Sequence, residues 1–286
     1  MKQYNSLSEV RQDITENGLS CQDLVSYYLH NIREKQHLNA FLEVYEAEAL
    51  ARAREVDEKI ANGTAGKLAG MVIGIKDVLA YKDHSLQASS HMLDGFKSLY
   101  TATAVQRLLD EDAIILGRQN CDEFAMGATN ETSYFGPVLN EDNPSRVPGG
   151  SSGGSAVAVQ ADLCLASIGT DTGGSVRQPA AFCGIIGIKP TYSRISRYGL
   201  IAYASSFDQI GVLTRSVEDA ALLLEVMAGP DEYDSTVSHR DVPAYSQQLE
   251  LDRPLQVGYV RDCLESEGIQ AEIKEAMLQV VDDLRA

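Results

Sequence analysis

Apolar residues recur at helical spacing through the N-terminal part of the chain. Leu7, Val10 and Ile14 form one stripe, which stops at Gly18. Ser20, with Asp23 three residues on, has the form of a capping box, and Leu24, Tyr27, Tyr28 and Ile32 then line one helix face. Phe41–Val44 is short and apolar enough for a strand, and residues 47–61, rich in Ala, Glu and Arg and closed by Asn62-Gly63, predict a third helix. These helices read as packing and interface elements. The texture changes at residues 68–78, an apolar run that predicts a buried strand ending in Lys76 and Asp77. Beyond Thr101 helix and strand alternate: a helix over 104–109, a strand over 113–116, and a loop-rich stretch over 130–148. A strand near 211–213 and a helix over Val217–Met227 follow, capped by Ser216 and stopped by Gly229-Pro230; a strand at 255–260 and an amphipathic helix over 271–284 complete the pattern.

That alternation predicts an α/β protein with a central sheet. No repeat or low-complexity linker interrupts it, so the chain reads as one domain over residues 1–286, with a helical region over 1–62 and a core over 63–286. Helical register is still running at Val280–Ala286 without a Gly or Pro stop, so the chain reads as cut short ahead of a further strand.

Composition narrows the function classes. With 286 residues, 44% of them hydrophobic and 23% charged, the chain suits a soluble globular protein, and its apolar runs are far too short to span a bilayer. No secretory signal follows Met1. The five cysteines (Cys21, Cys121, Cys164, Cys183 and Cys263) are odd in number, scattered and never in CxxC. They fit reduced thiols in a cytoplasmic protein and argue against a disulfide framework or a zinc site. A net charge of −17 repels nucleic acid, so a nucleic-acid substrate would have to be held by a basic partner.

The candidate chemistry lies in residues 148–190. Two Gly-Gly-Ser turns, Gly149-Gly150-Ser151 and Gly173-Gly174-Ser175, bracket an apolar run over 156–168. Clustered glycines serve sharp turns or close approaches, so each serine is displayed at the end of a buried element. Neither a Walker ending nor GxGxxG is present, which removes the phosphate-loop readings. A GxSxG elbow is missing too, and none of the five histidines sits in a setting that suggests presentation at a site. A serine nucleophile would then need another base. Lysine is the known variant, and a buried strand end such as that of Lys76 favours the neutral amine it requires. The backbone N–H groups of Thr172, Gly173, Gly174 and Ser175, ahead of a helix, can converge on one oxyanion. Each residue also has a plainer reading: Lys76 as a snorkelling strand-end lysine, Ser175 as a helix cap, Ser151 as a turn serine. Ser152 and Ser155 read as turn and cap residues, Asp122 and Glu123 as capping or solvated carboxylates, and Asp171 with Arg177 as a supporting pair.

Lys76 in GIKD, GGSSGGS at 149–155 and TDTGGSVRQPA at 170–180 together resemble the amidase signature family, and their spacing agrees with that pattern. The resemblance implies an amidase-signature α/β fold, with a mixed central β-sheet wrapped by helices, and a Ser–cis-Ser–Lys triad. In it Ser175 is the acylated nucleophile, Ser151, in a cis peptide after Gly150, relays the proton, and Lys76 is the terminal base. Within the family, NCDEFAMG at 120–127 and the segments at 131–136, 189–192, 196–200 and 205–211 are most similar to the glutamine-hydrolysing A subunits of tRNA-dependent amidotransferases. That likeness implies B and C subunits as partners, contact with tRNA only through the B subunit, glutamine as substrate, and ATP and Mg2+ in the partner, with no cofactor in this chain. It also implies a substrate-lining role for Met126. Members of the family run on past residue 286, and the groups that recognise the glutamine α-carboxylate and α-amino group lie in that part. The competing expectations are a stand-alone amidase for a small carboxamide and an inactive fragment that keeps only a partner-binding surface.

Overall fold

A computed structural model describes residues 1–250, 254 and 256–285. Two compact units divide the chain, Met1–Leu249 and Glu250–Ala286, where the sequence reads as one domain. The last helix reads as amphipathic in the sequence, and it buries none of its residues.

In the first unit, α1 (Leu7–Asn17), α2 (Cys21–Glu34) and α3 (Glu46–Ala61) form where the hydrophobic stripes place them. The capping box of α2 is complete: Ser20 Oγ accepts from Asp23 N–H at 3.0 Å, and the Asp23 carboxylate accepts from Ser20 N–H at 3.2 Å. Six strands make one mixed sheet in the order β1-β3-β2-β4-β6-β5. These are β1 (Phe41–Val44), β2 (Val72–Lys76), β3 (Ile114–Gln119), β4 (Ala166–Asp171), β5 (Ile186–Ile188) and β6 (Gln209–Thr214). Central strands β2, β3 and β4 run parallel, whereas β1 and β6 run antiparallel to their neighbours β3 and β4. Every residue of β2, β3, β4 and β6 is buried, as near-continuous apolar runs predict, while the edge strands are only half-buried. The remaining helices of this unit are α4 (Thr103–Asp110), α5 (Gly153–Gln160), α6 (Arg177–Phe182) and α7 (Val217–Met227). Buried α5 lies against β2, β4 and β6. Its close seat requires glycine at 154, where a Cβ would stand 2.3 Å from the Asn120 carbonyl oxygen.

The differences from expectation are local. The strand expected over 68–78 is shorter because residues 67–70 turn, with Gly70 at φ 90°. The apolar run over 156–168 holds both α5 and β4, broken at Asp162 with φ 58°. Strand β5, three residues long, carries too little pattern to read in the sequence beyond an apolar run. In the second unit, α8 (Arg261–Glu265) precedes α9 (Ala271–Asp283). Residues 256–260 of the expected strand form none, and Leu255 lies outside the described residues. No helix among the described residues is long and apolar enough to cross a membrane.

Candidate active site

Parallel strands β2, β3 and β4 bring three C-terminal ends to one edge of the sheet: Lys76, the segment that follows Gln119, and the Asp171–Ser175 turn. This is where open α/β sheets place ligands. Lys76 is wholly buried, and its Nζ lies 2.7 Å from Ser151 Oγ, 2.9 Å from Ser152 Oγ and 2.9 Å from Thr170 Oγ1. Burial penalises the ammonium and pushes its pKa down to about 8, against the opposing pull of Cys121, Asp122, Asp171 and Asp208. The Ser152 hydroxyl donates to Thr170 C=O at 3.1 Å, so toward the lysine it can only accept. A neutral amine has two N–H donors and one lone pair. With the donors on Ser152 and Thr170, the lone pair is left for the Ser151 O–H.

The Gly150–Ser151 peptide is cis. Gly149 has φ 80°, and at Gly150 a Cβ would stand 2.1 Å from the Asp122 carboxylate, so this turn needs both glycines. The two serine turns are tied together: Ser152 N–H donates to Ser175 C=O at 3.1 Å, and Gly150 N–H donates to the Gln178 side chain at 3.1 Å. Among the described residues no hydrogen bond joins the Ser151 and Ser175 hydroxyls. Ser151 is buried and Ser175 half-buried, so the path from Lys76 to Ser175 leads outward to a cavity of about 480 Å³. Ser175, Gly173, Met126, Gln178 and Tyr203 are among the residues that line it.

Asp171 shapes the Ser175 turn. Its buried carboxylate accepts from Gly174, Val176 and Arg177 N–H at 2.8, 3.1 and 3.2 Å and from the Arg177 guanidinium through two 3.0 Å bonds. Burial works to raise its pKa, but the Arg177 pair and the backbone donors outweigh it and hold the carboxyl below its ordinary value. The Gly174 N–H, one of the four expected oxyanion donors, is therefore engaged inside the turn. Asp208 braces the opposite wall, accepting from Thr172 Oγ1 at 2.5 Å and from Tyr203 N–H at 2.9 Å.

Sequence reading missed three of these residues. Ser152 and Thr170 hold the lysine, although they look like ordinary turn and strand residues. Asp122 is fully buried rather than capping or solvated. The signal that could have marked Ser152 and Thr170 is a lysine closing a wholly apolar strand, since each of its donors must then find an acceptor. Met126 lines the cavity and is 61% exposed.

A family model described as amidase matches residues 23–286. The chain is 49% identical to the A subunit of the glutamyl-tRNA(Gln) amidotransferase of Chlorobium chlorochromatii over 99% of its own length, and it spans 60% of that relative. Among solved structures, a crystal structure of an amidase superposes with a TM-score of 0.85 at 34% identity, covering 99% of this chain and 61% of that one. The corresponding A subunit of the glutamyl-tRNA(Gln) amidotransferase of Thermotoga maritima superposes with a TM-score of 0.68 at 40% identity, covering 77% of this chain and 46% of that one.

Proposed function

This chain belongs to the amidase family, and on that premise we propose that it is a glutamine-hydrolysing subunit that supplies ammonia to a tRNA-dependent amidotransferase. The observation that carries the reading is the buried Lys76 amine against Ser151 Oγ at 2.7 Å, beside a cavity that opens at Ser175. In this reading neutral Lys76 takes the Ser151 proton, and Ser151 takes that of Ser175 as Ser175 Oγ attacks the carboxamide carbon. The oxyanion forms against the free N–H groups of the 172–175 turn. Its collapse breaks the C–N bond, and the proton returns through Ser151 to the departing ammonia. Water, deprotonated along the same route, then releases the acid from the acyl-enzyme. Every step is proton transfer and acyl transfer, so ATP and Mg2+ are assigned to the partner that activates the tRNA-borne carboxylate. B and C subunits are the proposed partners, with tRNA held through the B subunit.

The test is ammonia release from glutamine by this chain, alone and with B and C subunits, beside Ser175→Ala. Release that the substitution abolishes supports the reading. Equal release from both would sink Ser175 as nucleophile. A stand-alone amidase is the second reading, favoured by the fuller superposition on the solved amidase. Hydrolysis of simple carboxamides at rates above those for glutamine, with no response to B and C subunits, would select it.

A further inference from the structure

We infer that Asp122 is a positioning residue of this centre, a carboxylate that locks the Ser151 turn to the Met126 wall and holds negative charge within it. The inference rests on the Ser-Ser-Lys reading above.

The Asp122 side chain is fully buried, and its three donors are all neutral. Oδ2 accepts from Asn130 N–H at 3.0 Å, and Oδ1 accepts from Thr132 N–H at 3.3 Å and Thr132 Oγ1–H at 2.8 Å. A group surrounded only by donors is a carboxylate, and neutral donors leave its charge uncancelled at short range. Its backbone reaches in two directions. Asp122 N–H donates to Ser151 C=O at 3.1 Å, and Asp122 C=O accepts from Ala125 N–H at 2.9 Å.

Two cavity-lining glycines rest on the same carboxylate. A Cβ at Gly127 would stand 2.3 Å from Asp122 Cγ, and one at Gly150 would stand 2.1 Å from Oδ2. One side chain thus sets the spacing between the wall that carries Met126 and the turn that carries Ser151. Ser151 Oγ is in turn bonded to Lys76 Nζ, so Asp122 N–H and Lys76 Nζ hold one residue from its two ends.

The charge has a consequence for Lys76. Burial lowers the lysine, and four groups oppose it: Cys121, Asp122, Asp171 and Asp208. Burial pushes the Cys121 thiol up to about 12, so near neutrality Cys121 carries no charge. Asp171 is neutralised in part by its Arg177 pair. Asp122 and Asp208 accept only from neutral donors, and so keep Lys76 basic enough to accept a proton; of the two, Asp122 is the one that also sets the spacing around Ser151.

The test reads the nucleophilicity of Ser175 directly, as sulfonylation of its Oγ with loss of fluoride. The rate of modification by phenylmethylsulfonyl fluoride is followed against pH by mass spectrometry, in the full chain and in Asp122→Asn. The unsubstituted chain should show an acid limb near pH 8, where Lys76 loses its proton. Asp122→Asn keeps the shape and removes the charge, so the limb should move down by about half a unit or more and the plateau should fall several-fold. A limb that stays in place in this variant overturns the inference, whatever happens to the plateau. Should Asp122→Asn not fold, Thr132→Val takes its place: Thr132 is exposed, and the variant drops one donor while the charge stays. Slower labelling with the limb unmoved is expected there, and an unchanged rate overturns the inference. No labelling in the unsubstituted chain, or labelling that survives Ser175→Ala, defeats the Ser-Ser-Lys reading itself.

Discussion

At the scale of single residues, Lys76 shows what a site costs the fold. Its pKa lies near 8 in the folded chain against 10.5 in water. Because the folded value is the lower one, its contribution to stability is fully present above the unfolded value and is lost as the pH falls through the folded value. The loss is roughly 3 kcal/mol at neutral pH. Lys76→Met removes the ammonium and leaves a chain of similar volume, at the expense of the hydrogen bonds to Ser151, Ser152 and Thr170. Each of those is worth about 1 kcal/mol. Thermal unfolding at pH 7 should therefore show no loss of stability in the variant, and its standing against the unsubstituted chain should worsen steadily as the pH rises toward 10.5. Acylation of Ser175 should be abolished throughout. A variant that is less stable at pH 7 than at pH 10, relative to the unsubstituted chain, would contradict the burial argument.

The Lys76–Ser151 contact was legible because a lysine ending an apolar run and serines after paired glycines are both unusual; Ser175 stands out by the same pattern, and its role is the one proposed above. Ser152, Thr170 and Asp122 were not legible. A hydroxyl or carboxylate is placed by its partners, and those partners lie far along the chain, as the separation of 94 positions from Lys76 to Thr170 shows.

Among the elements, helices with a cap and an apolar stripe were readable in type and close to their ends. Thus α7 begins at the Ser216 cap, where the hydroxyl accepts from Asp219 N–H at 3.1 Å, and stops before Gly229-Pro230. Strands were readable where turn or charge signals bounded an apolar run, as at β1, β2, β3 and β6; β4 was not, because the same apolar run also holds α5. Short β5 was not, since its partner β6 determines it more than its own three residues do. The tie between α1 and α7 was invisible as well. The buried Asp219 carboxylate accepts Leu7 N–H at 3.1 and 3.0 Å, bonding the first turn of one helix to the first turn of the other. Burial raises Asp219 to about 6, with Glu218 adding to the rise and the Leu7 N–H, Ser216 and Arg11 opposing it. A folded value above the unfolded one means that the contribution is fully present below the unfolded pKa of 3.8 and is lost as the pH rises through 6. Asp219→Asn keeps an acceptor for Leu7 without the charge. Its melting temperature should exceed that of the unsubstituted chain by a few degrees at pH 8, with the difference gone near pH 4. An equal gain at both values would show that the carboxylate's charge is not the cause.

For the molecule as a whole, the informative quantity is charge. A chain of 286 residues with a net charge of −17 presents a field that opposes a polyanion. Nothing in that field hinders the proposed reaction, since glutamine carries no net charge. Delivery of ammonia to an aminoacyl-tRNA then divides into two tasks with opposite electrostatic needs, and the proposed function gives this chain the task that needs no basic surface. The division can be tested without an activity assay. In about 50 mM salt, where phosphate contacts are strongest, the isolated chain should not retard tRNA in a gel even at micromolar concentration. The same chain assembled with B and C subunits should enter a retarded complex, and that complex should weaken steeply as salt is raised. Retardation by the chain alone, competed away by unrelated RNA, would mean that clustered Lys and Arg outweigh the net charge locally. Retardation by the chain alone that only tRNA competes away would place tRNA recognition in this chain and overturn the division of labour.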